Sequence, residues 1–230
     1  MFAGNLSRAR QRTQHAVNMV LESNLKESAA NMLLTQATAE ALFGESTQAR
    51  KTVAAVIKLA DSKIEKSKAA RVMALNGQGL EAQQIMDRLV RENPSDTLLN
   101  AVDAPLVLAA SQLGSGQADQ ALRSLESVKP YEFGRHADLL PNYLRATAYL
   151  QLRRAEEAAT EFRAVLDHRG VAPMATMWEM SQLGLARARA LLGDTAKARA
   201  AYKDFFALWK DADPDIPVVQ EAKAESAKQP

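Results

Sequence analysis

Three short segments of this 230-residue chain contain residue types that enzymes use in catalysis. His168-Arg169-Gly170 differs by one residue from the His-Arg-Asp of phosphotransfer catalytic loops, but a glycine cannot act as the catalytic base. Gly77-Gln78-Gly79 lacks the third glycine of a nucleotide-binding loop. Ser115, between Gly114 and Gly116, comes closest to the setting of an esterase nucleophile among small residues, yet no strand-like segment precedes it. We therefore predict no catalytic residue in this chain and no enzyme activity.

Ligands for a metal ion are equally sparse. The chain contains no cysteine, which excludes disulfides and thiolate metal sites. The three histidines are isolated from one another, without the i, i+4 spacing of a helical zinc site: His15, His136 and His168. Arginines one helical turn away flank the acidic cluster within 156–161, which favours ion pairs along a helix face. The sequence thus predicts no metal site and no cofactor.

Composition argues against two classes of partner. The net charge is only +2, with 24% charged residues, so a concentrated basic face for binding nucleic acid is not expected. No apolar run approaches the ~18–20 residues that cross a bilayer, and we predict no direct membrane insertion. The start of the chain lacks a basic region followed by an apolar stretch. We expect a cytoplasmic location, or an extracytoplasmic one if a membrane-spanning segment lies upstream in a parent protein.

A glycine followed five residues later by an alanine recurs every 33 to 40 residues. The copies begin at Gly4, Gly44, Gly77, Gly116 and Gly193, and a degenerate copy begins at Arg153. Periods of this length are typical of solenoids built from helical pairs. Glycine accepts the left-handed backbone that ends a helix, and alanine lets the second helix of a pair cross the first closely.

Apolar residues at i, i+3, i+4 and i+7 predict helices throughout the chain, and no segment alternates as a strand does. The predicted helices are 5–22, 26–43, 46–60, 64–76, 78–92, 97–114, 117–128, 138–153, 155–168, 174–192, 194–210 and 217–227. One helical pair cannot bury its apolar stripe alone, so neighbouring pairs must share a core. We expect an all-α fold, a right-handed α-solenoid of helical hairpins.

This pattern resembles the tetratricopeptide repeat (TPR), whose second helix carries small and aromatic residues at the same spacing. Three stretches carry the resemblance: Tyr143, Tyr149, Ala158 and Phe162; Gly193, Asp194, Ala198 and Tyr202; and Gly77, Ala82 and Pro94. The resemblance covers residues 1–213 and implies a superhelix that binds proteins on its concave face. Residues 214–230 are expected to form a capping helix and a charged tail.

A narrower resemblance is carried by four segments: 130–134, 143–149, 161–170 and 206–217. They look like the C-terminal repeat region of bacterial serine/threonine kinases of eukaryotic type and of some winged-helix regulators. This implies the sensory or scaffolding part of a larger signalling protein. The first repeat is incomplete, because the helix that should precede Gly4 is absent, and we expect an uncovered apolar end there. Restoring that helix should then raise thermal stability.

Polar side chains on the first helix of each pair are the candidate binding residues, because those helices line the concave face in this repeat class. They are Asn31, Thr38, Ser67, Arg71, Asp103, Tyr143, Thr147 and Arg187. Mixed charges and one aromatic ring suit a peptide or partner helix, whereas the run of Lys and Asn that clamps a chaperone-tail carboxylate is missing. The other interpretation is that these side chains only face solvent.

A second candidate is the loop that contains Tyr131, Phe133 and Arg135, whose rings either contact a partner or fill the gap between helical pairs. Taken together, these features predict a non-catalytic module that binds a protein or peptide. A structural spacer, or an element that self-associates as a weak homo-oligomer, is the alternative. An enzyme with a pocket between repeats is the least favoured interpretation.

Overall fold

The computed structural model describes residues 4–229, and within that range the fold is all-α, without a strand. Its helices are α1 Leu6–Glu22, α2 Lys26–Leu42, α3 Ser46–Leu59, α4 Lys63–Leu75, α5 Gly79–Glu92, α6 Ala104–Gly114, α7 Ala118–Ser124, α8 Leu140–Gln151, α9 Ala155–Asp167, α10 Met177–Leu191, α11 Thr195–Leu208 and α12 Pro217–Ser226. None of the helices in this described part is long and apolar enough to cross a membrane.

Five helices depart from their predicted bounds by two residues or more: α10 begins at Met177, α11 ends at Leu208, and α6, α7 and α8 depart for the local reasons that follow. The helix predicted over 97–114 begins instead as a π-helical turn, Leu99–Asp103, ahead of Pro105, which has no amide N–H to continue a regular hydrogen-bond ladder. The helix predicted over 117–128 ends at Ser124, and a 3₁₀ turn containing Pro130 follows it. The start of α8 is delayed because Asp138 and Leu139 both adopt a left-handed backbone.

The repeated glycines that follow α2, α4, α6 and α10 end those helices, as the sequence predicts: Gly44, Gly77, Gly116 and Gly193. Gly4, Gly44, Gly77, Gly116 and Gly193 have φ between 73° and 89°. In the degenerate copy Arg153 takes the same left-handed conformation, with φ of 58°. The alanines five residues further on are buried, and every one after the first is fully inaccessible: Ala9, Ala49, Ala82, Ala121, Ala158 and Ala198. The repeat register is therefore present in the backbone and in the packing.

The helices pack in chain order in two layers. Each even-numbered helix from α2 to α8 contacts the next even-numbered helix, and each one from α2 to α10 contacts the odd-numbered helices before and after it. Their shared apolar side chains form a continuous core from Ala30 to Met177, with two further clusters beside it. Tyr143 on α8 packs against all three clusters. The even-numbered helices thus form one layer, which packs against the layer of odd-numbered helices.

The first and last hairpins meet, which the sequence did not predict. Ser7 at the start of α1 donates hydrogen bonds to a carboxylate oxygen of Asp213, from its amide at 2.7 Å and its hydroxyl at 2.8 Å. The rings of Phe43 and Trp209 lie 4.6 Å apart, and the Phe43 carbonyl accepts a hydrogen bond from Val218. At the start of α1 the expectation of an uncovered apolar end is wrong, because the segment between α11 and α12 covers Leu6, whereas Met19 and Leu21 near the end of α1 are exposed.

The acidic cluster on α9 pairs only partly as predicted. Arg154 and Glu157 form the expected pair along the helix, with a closest approach of 2.6 Å. Glu161 instead binds Arg145 of α8, whose Nε lies 2.9 Å away, and it also accepts a hydrogen bond from Asn142 at 3.1 Å. Arg145 is 3% exposed, so this ion pair joins two helices in the interior and does not lie on a solvated face.

Candidate ligand-binding cavity

A cavity of about 640 Å³ opens on the face of the even-numbered helices. The sides of α2 and α4 form one wall, and two irregular segments, 135–140 before α8 and 171–177 before α10, form the other. The titratable side chains that line it are Lys68, Arg71, Arg135, His136 and Asp138. Clefts of ~300–1,000 Å³ are the usual size of small-molecule sites, so this cavity has room for a ligand or for part of a partner.

Five of the predicted binding residues converge on this cavity. Asn31, Thr38 and Arg71 line it directly. Ser67 and Asp103 lie behind the wall, where they are 2% and 4% exposed. The other three predicted residues lie elsewhere: Tyr143, Thr147 and Arg187.

The three remaining residues have partners within the fold. Tyr143 packs against the core, and its carbonyl accepts a hydrogen bond from the Thr147 hydroxyl at 2.8 Å. Arg187 donates two hydrogen bonds of 2.9 Å to the Glu225 carboxylate on α12. The Tyr202 hydroxyl donates to the same carboxylate, and burial, followed by the nearby negative charge, raises the pKa of Tyr202. Because α12 engages Arg187, that side chain serves the packing of the last hairpin.

The predicted contact loop divides in a similar way. Tyr131 is half-buried and packs against the main core, so it fills the gap between helical pairs. Phe133 is 43% exposed, and its ring lies 4.3 Å from that of His168 in the next irregular segment. Arg135 reaches the cavity. Phe133 and Arg135 are therefore the exposed members of the three, whereas Tyr131 is half-buried.

A buried carboxylate holds the cavity wall together. Asp103 accepts a hydrogen bond of 2.6 Å from the Ser67 hydroxyl and lies 3.0 Å from Nε2 of His136. Arg71 lies 3.8 Å from the same carboxylate and donates a hydrogen bond to the His136 carbonyl. Burial raises the pKa of Asp103, but the His136 hydrogen bond, the Arg71 charge and the Ser67 hydrogen bond together bring that pKa below its ordinary value.

Serine, histidine and aspartate meet here, but their connections are not those of a nucleophile. In a catalytic triad the serine hydroxyl gives its proton to histidine, and aspartate orients the histidine from the far side. Here the Ser67 hydroxyl donates directly to Asp103, which separates it from His136. Ser67 is also inaccessible to a substrate. The network fixes the segment before α8 against α4 and the π-helical turn.

The cations on the cavity wall are only partly neutralised. Lys68 donates one hydrogen bond of 2.6 Å to the Asn31 side chain, and burial, followed by the nearby charge of Arg71, lowers the pKa of Lys68. Arg71 donates a single hydrogen bond among the described residues, to a carbonyl. Arg135 is exposed and forms no salt bridge within residues 4–229. Three cationic groups therefore keep N–H donors free toward the cavity.

The turn that brings His136 and Asp138 to the cavity has an unusual backbone. Asp138 and Leu139 have φ of 62° and 60° in succession, a conformation that costs branched and bulky residues ~1–3 kcal/mol each. Leu139 is fully buried, so core packing holds the turn in place. The turn aligns the segment that carries Arg135 and His136 with the wall formed by α4.

Sequence reasoning missed Lys68, His136, Asp138 and the whole segment 171–177. A signal for Lys68 was available, because it lies one turn before Arg71 on the same helix and therefore shares its face. No comparable signal exists for the two irregular segments, since they have no period from which a face can be read. Among residues 4–229 no three His, Asp or Glu side chains are grouped as metal ligands.

Comparison of the chain with protein families, with curated proteins and with solved structures gave no match. The function is therefore inferred from the cavity and from the residues around its mouth.

Proposed function

We propose that this chain is a non-catalytic protein-interaction module, built as a right-handed solenoid of TPR-like hairpins. It would serve as the sensory or regulatory part of a larger bacterial signalling protein. The observation that carries the proposal is the cavity on the even-numbered helices, where accessible charges converge without a nucleophile or a proton-relay arrangement. The repeated left-handed turns and inaccessible alanines support the hairpin architecture.

The mouth of the cavity has the features of a contact surface. Phe133 is 43% exposed and Met174 is 56% exposed, and Met174 also lines the cavity. Large accessible apolar side chains beside accessible charges are typical of surfaces that bind proteins. Arg135, which lines the cavity two residues after Phe133, adds a donor suited to carboxylates. A partner segment placed here would contact apolar and cationic groups together.

A peptide library displayed on phage and selected on the immobilised full chain tests this proposal. We expect a family of related peptides whose binding falls at least about tenfold in the double variant Phe133→Ser and Met174→Ser, because apolar anchors dominate such interfaces. Leu80→Ser is the matched control, since Leu80 is 70% exposed in the first turn of α5 and does not line the cavity.

Two outcomes would argue against peptide recognition at the mouth. One is a selection that yields no peptide above background. The other is a set of peptides that the double variant and Leu80→Ser affect equally. If light scattering then shows a mass that rises with concentration, self-association or a spacer role becomes the better account of the chain.

A further inference from the structure

The cavity itself combines two kinds of lining. Apolar side chains from all four of its elements face it: Leu34, Val72, Leu75, Leu140, Val171 and Met177. Lys68, Arg71 and Arg135 supply positive charge to the same space. A lining that combines apolar side chains with polar donors is typical of sites for small organic ligands.

Charge in the cavity favours an anion. Lys68 is half-buried and has one side-chain acceptor, Asn31, which carries no charge. Arg71 is 3.8 Å from Asp103, and its only hydrogen bond within the described chain goes to a carbonyl. An ammonium or guanidinium group in a sheltered site gains most from a partner that is itself charged. A ligand anion placed between these two side chains would supply that partner.

Asp138 is the single carboxylate among the residues that line the cavity, and three cations share the space with it. It lies on the segment before α8, whereas Lys68 and Arg71 lie on α4. A ligand carboxylate would therefore be attracted to Lys68 and Arg71 on α4 and to Arg135, and repelled by Asp138. The segment 171–177 contributes no charged side chain to the lining, so the apolar body of the ligand would lie toward it.

We propose that the cavity binds a small organic acid, a carboxylate carried on an apolar body. The segments 135–140 and 171–177 wall the cavity opposite α2 and α4, so its volume of about 640 Å³ matches a compact ligand better than a peptide that passes through. The proposal goes beyond protein recognition at the mouth and holds or fails independently of it.

Octanoate is a suitable probe, with 1-octanol and octylammonium as controls that keep the apolar chain and change the head group. Calorimetric titration of the full chain should show octanoate binding at least about tenfold more tightly than either control, because a charge-assisted hydrogen bond from Lys68 or Arg71 is lost with them. Circular dichroism of each variant would verify that it is folded.

Four substitutions distinguish recognition of the carboxylate charge from non-specific apolar binding. Lys68→Met should weaken octanoate binding about tenfold, since its ammonium is sheltered. Arg135→Gln should weaken it by a few-fold only, because exposed ion pairs contribute little; being exposed, this position also leaves the fold unchanged. Asp138→Asn should strengthen binding, and asparagine tolerates the left-handed backbone there. Arg163→Gln, on the exposed face of α9, should change nothing.

Lys68 also offers a readout that does not depend on affinity. A bound carboxylate favours the charged ammonium, so the lowered pKa of Lys68 should rise toward its ordinary value when octanoate is present. Nuclear magnetic resonance of the lysine side chains follows that titration.

The proposal is overturned by equal affinity for octanoate and 1-octanol, which would reveal an apolar site without carboxylate recognition. It is also overturned if octanoate fails to bind. If in that case the peptide acetyl-Leu-Glu-Leu-amide does bind in an Arg135-dependent way, the carboxylate belongs to a partner's side chain and not to a small acid.

Discussion

The contact between Gly184 and Phe162 offers a sharp test of how α10 packs on α9. A Cβ atom at position 184 would lie 2.3 Å from Cζ of the Phe162 ring and 2.4 Å from Cε1, whereas non-bonded carbon atoms rest at ~3.5–4.0 Å. Phe162 is 2% exposed, so its ring has no solvent into which to move. Gly184→Ala therefore requires the two helices to separate or the ring to leave its rotamer.

The expected effect combines two opposing terms. Replacing a helical glycine by alanine stabilises by about 1 kcal/mol, and overpacking a core costs about 1–3 kcal/mol. The overlap of about 1 Å with three ring atoms places the cost at the upper end, so the free energy of unfolding should fall by about 2 kcal/mol. For a chain of this length that corresponds to a Tm lower by roughly 4–8 °C.

Urea denaturation followed by circular dichroism measures this change. Gly114→Ala is the matched control, because Gly114 ends α6 and a Cβ there meets no atom within 4 Å; its stability should be unchanged or raised by up to about 1 kcal/mol. Adding Phe162→Leu to Gly184→Ala should cost less than the two changes summed, since the shorter side chain vacates the overlap. Equal stability of the two alanine variants would refute this packing of α9 against α10.

Two further predictions concern the closure of the chain and its acid stability. Asp213→Ala should lower the free energy of unfolding by about 1 kcal/mol, because it removes the acceptor at the start of α1. Asp215 is exposed two residues away, so Asp215→Ala should have no effect on stability. Equal urea midpoints for the two variants would disprove the contact between Asp213 and α1. The pKa of Asp103 is lowered in the folded state, so its contribution to stability is present above its unfolded pKa of ~3.9 and is lost as pH falls through the folded value. Asp103→Asn should flatten the stability profile below about pH 4, and a profile of unchanged slope would contradict the network around Asp103.

Local chemistry explains why the helices could be predicted so closely. The left-handed φ at Gly44, Gly77, Gly116 and Gly193 follows from a requirement of helix ends, and Arg153 adopts it after α8 without a glycine. The departures near Pro105 and Pro130 follow from missing amide donors, but which hydrogen-bond register replaces the helix depends on packing. The helices could therefore be predicted from the sequence, whereas the conformation of the irregular turns could not.

The sequence pattern could not predict the contact between the first and last hairpins. Ser7 and Asp213 are 206 positions apart, and no periodicity connects residues at opposite ends of a chain. For the same reason the pattern placed Arg187 on an open face, whereas α12 binds it through Glu225. Counting from the glycines placed Arg71 on a helix face, and that face lines the cavity because the cavity wall there is formed by neighbouring helices, α2 and α4.

The cavity as a whole could be only half predicted. Its α2 and α4 wall follows from helical period, and Asn31 and Arg71 were found on that basis. The opposite wall comes from the segments before α8 and α10, where a left-handed pair and the Asp103 network decide which side chains turn inward. Such segments take their shape from tertiary contacts, so the sequence does not indicate that His136 lies at the cavity.

The central claim is that ligands enter the cavity between α2, α4 and the two irregular segments. Methyl resonances of a methionine-labelled chain test it directly, because Met174 and Met177 line the cavity whereas Met19 lies exposed on α1 and Met86 lies buried on α5. On addition of octanoate or of a selected peptide, the signals of Met174 and Met177 should shift while those of Met19 and Met86 stay in place. A ligand that binds and moves Met19 or Met86 but leaves Met174 and Met177 unchanged would contradict the account.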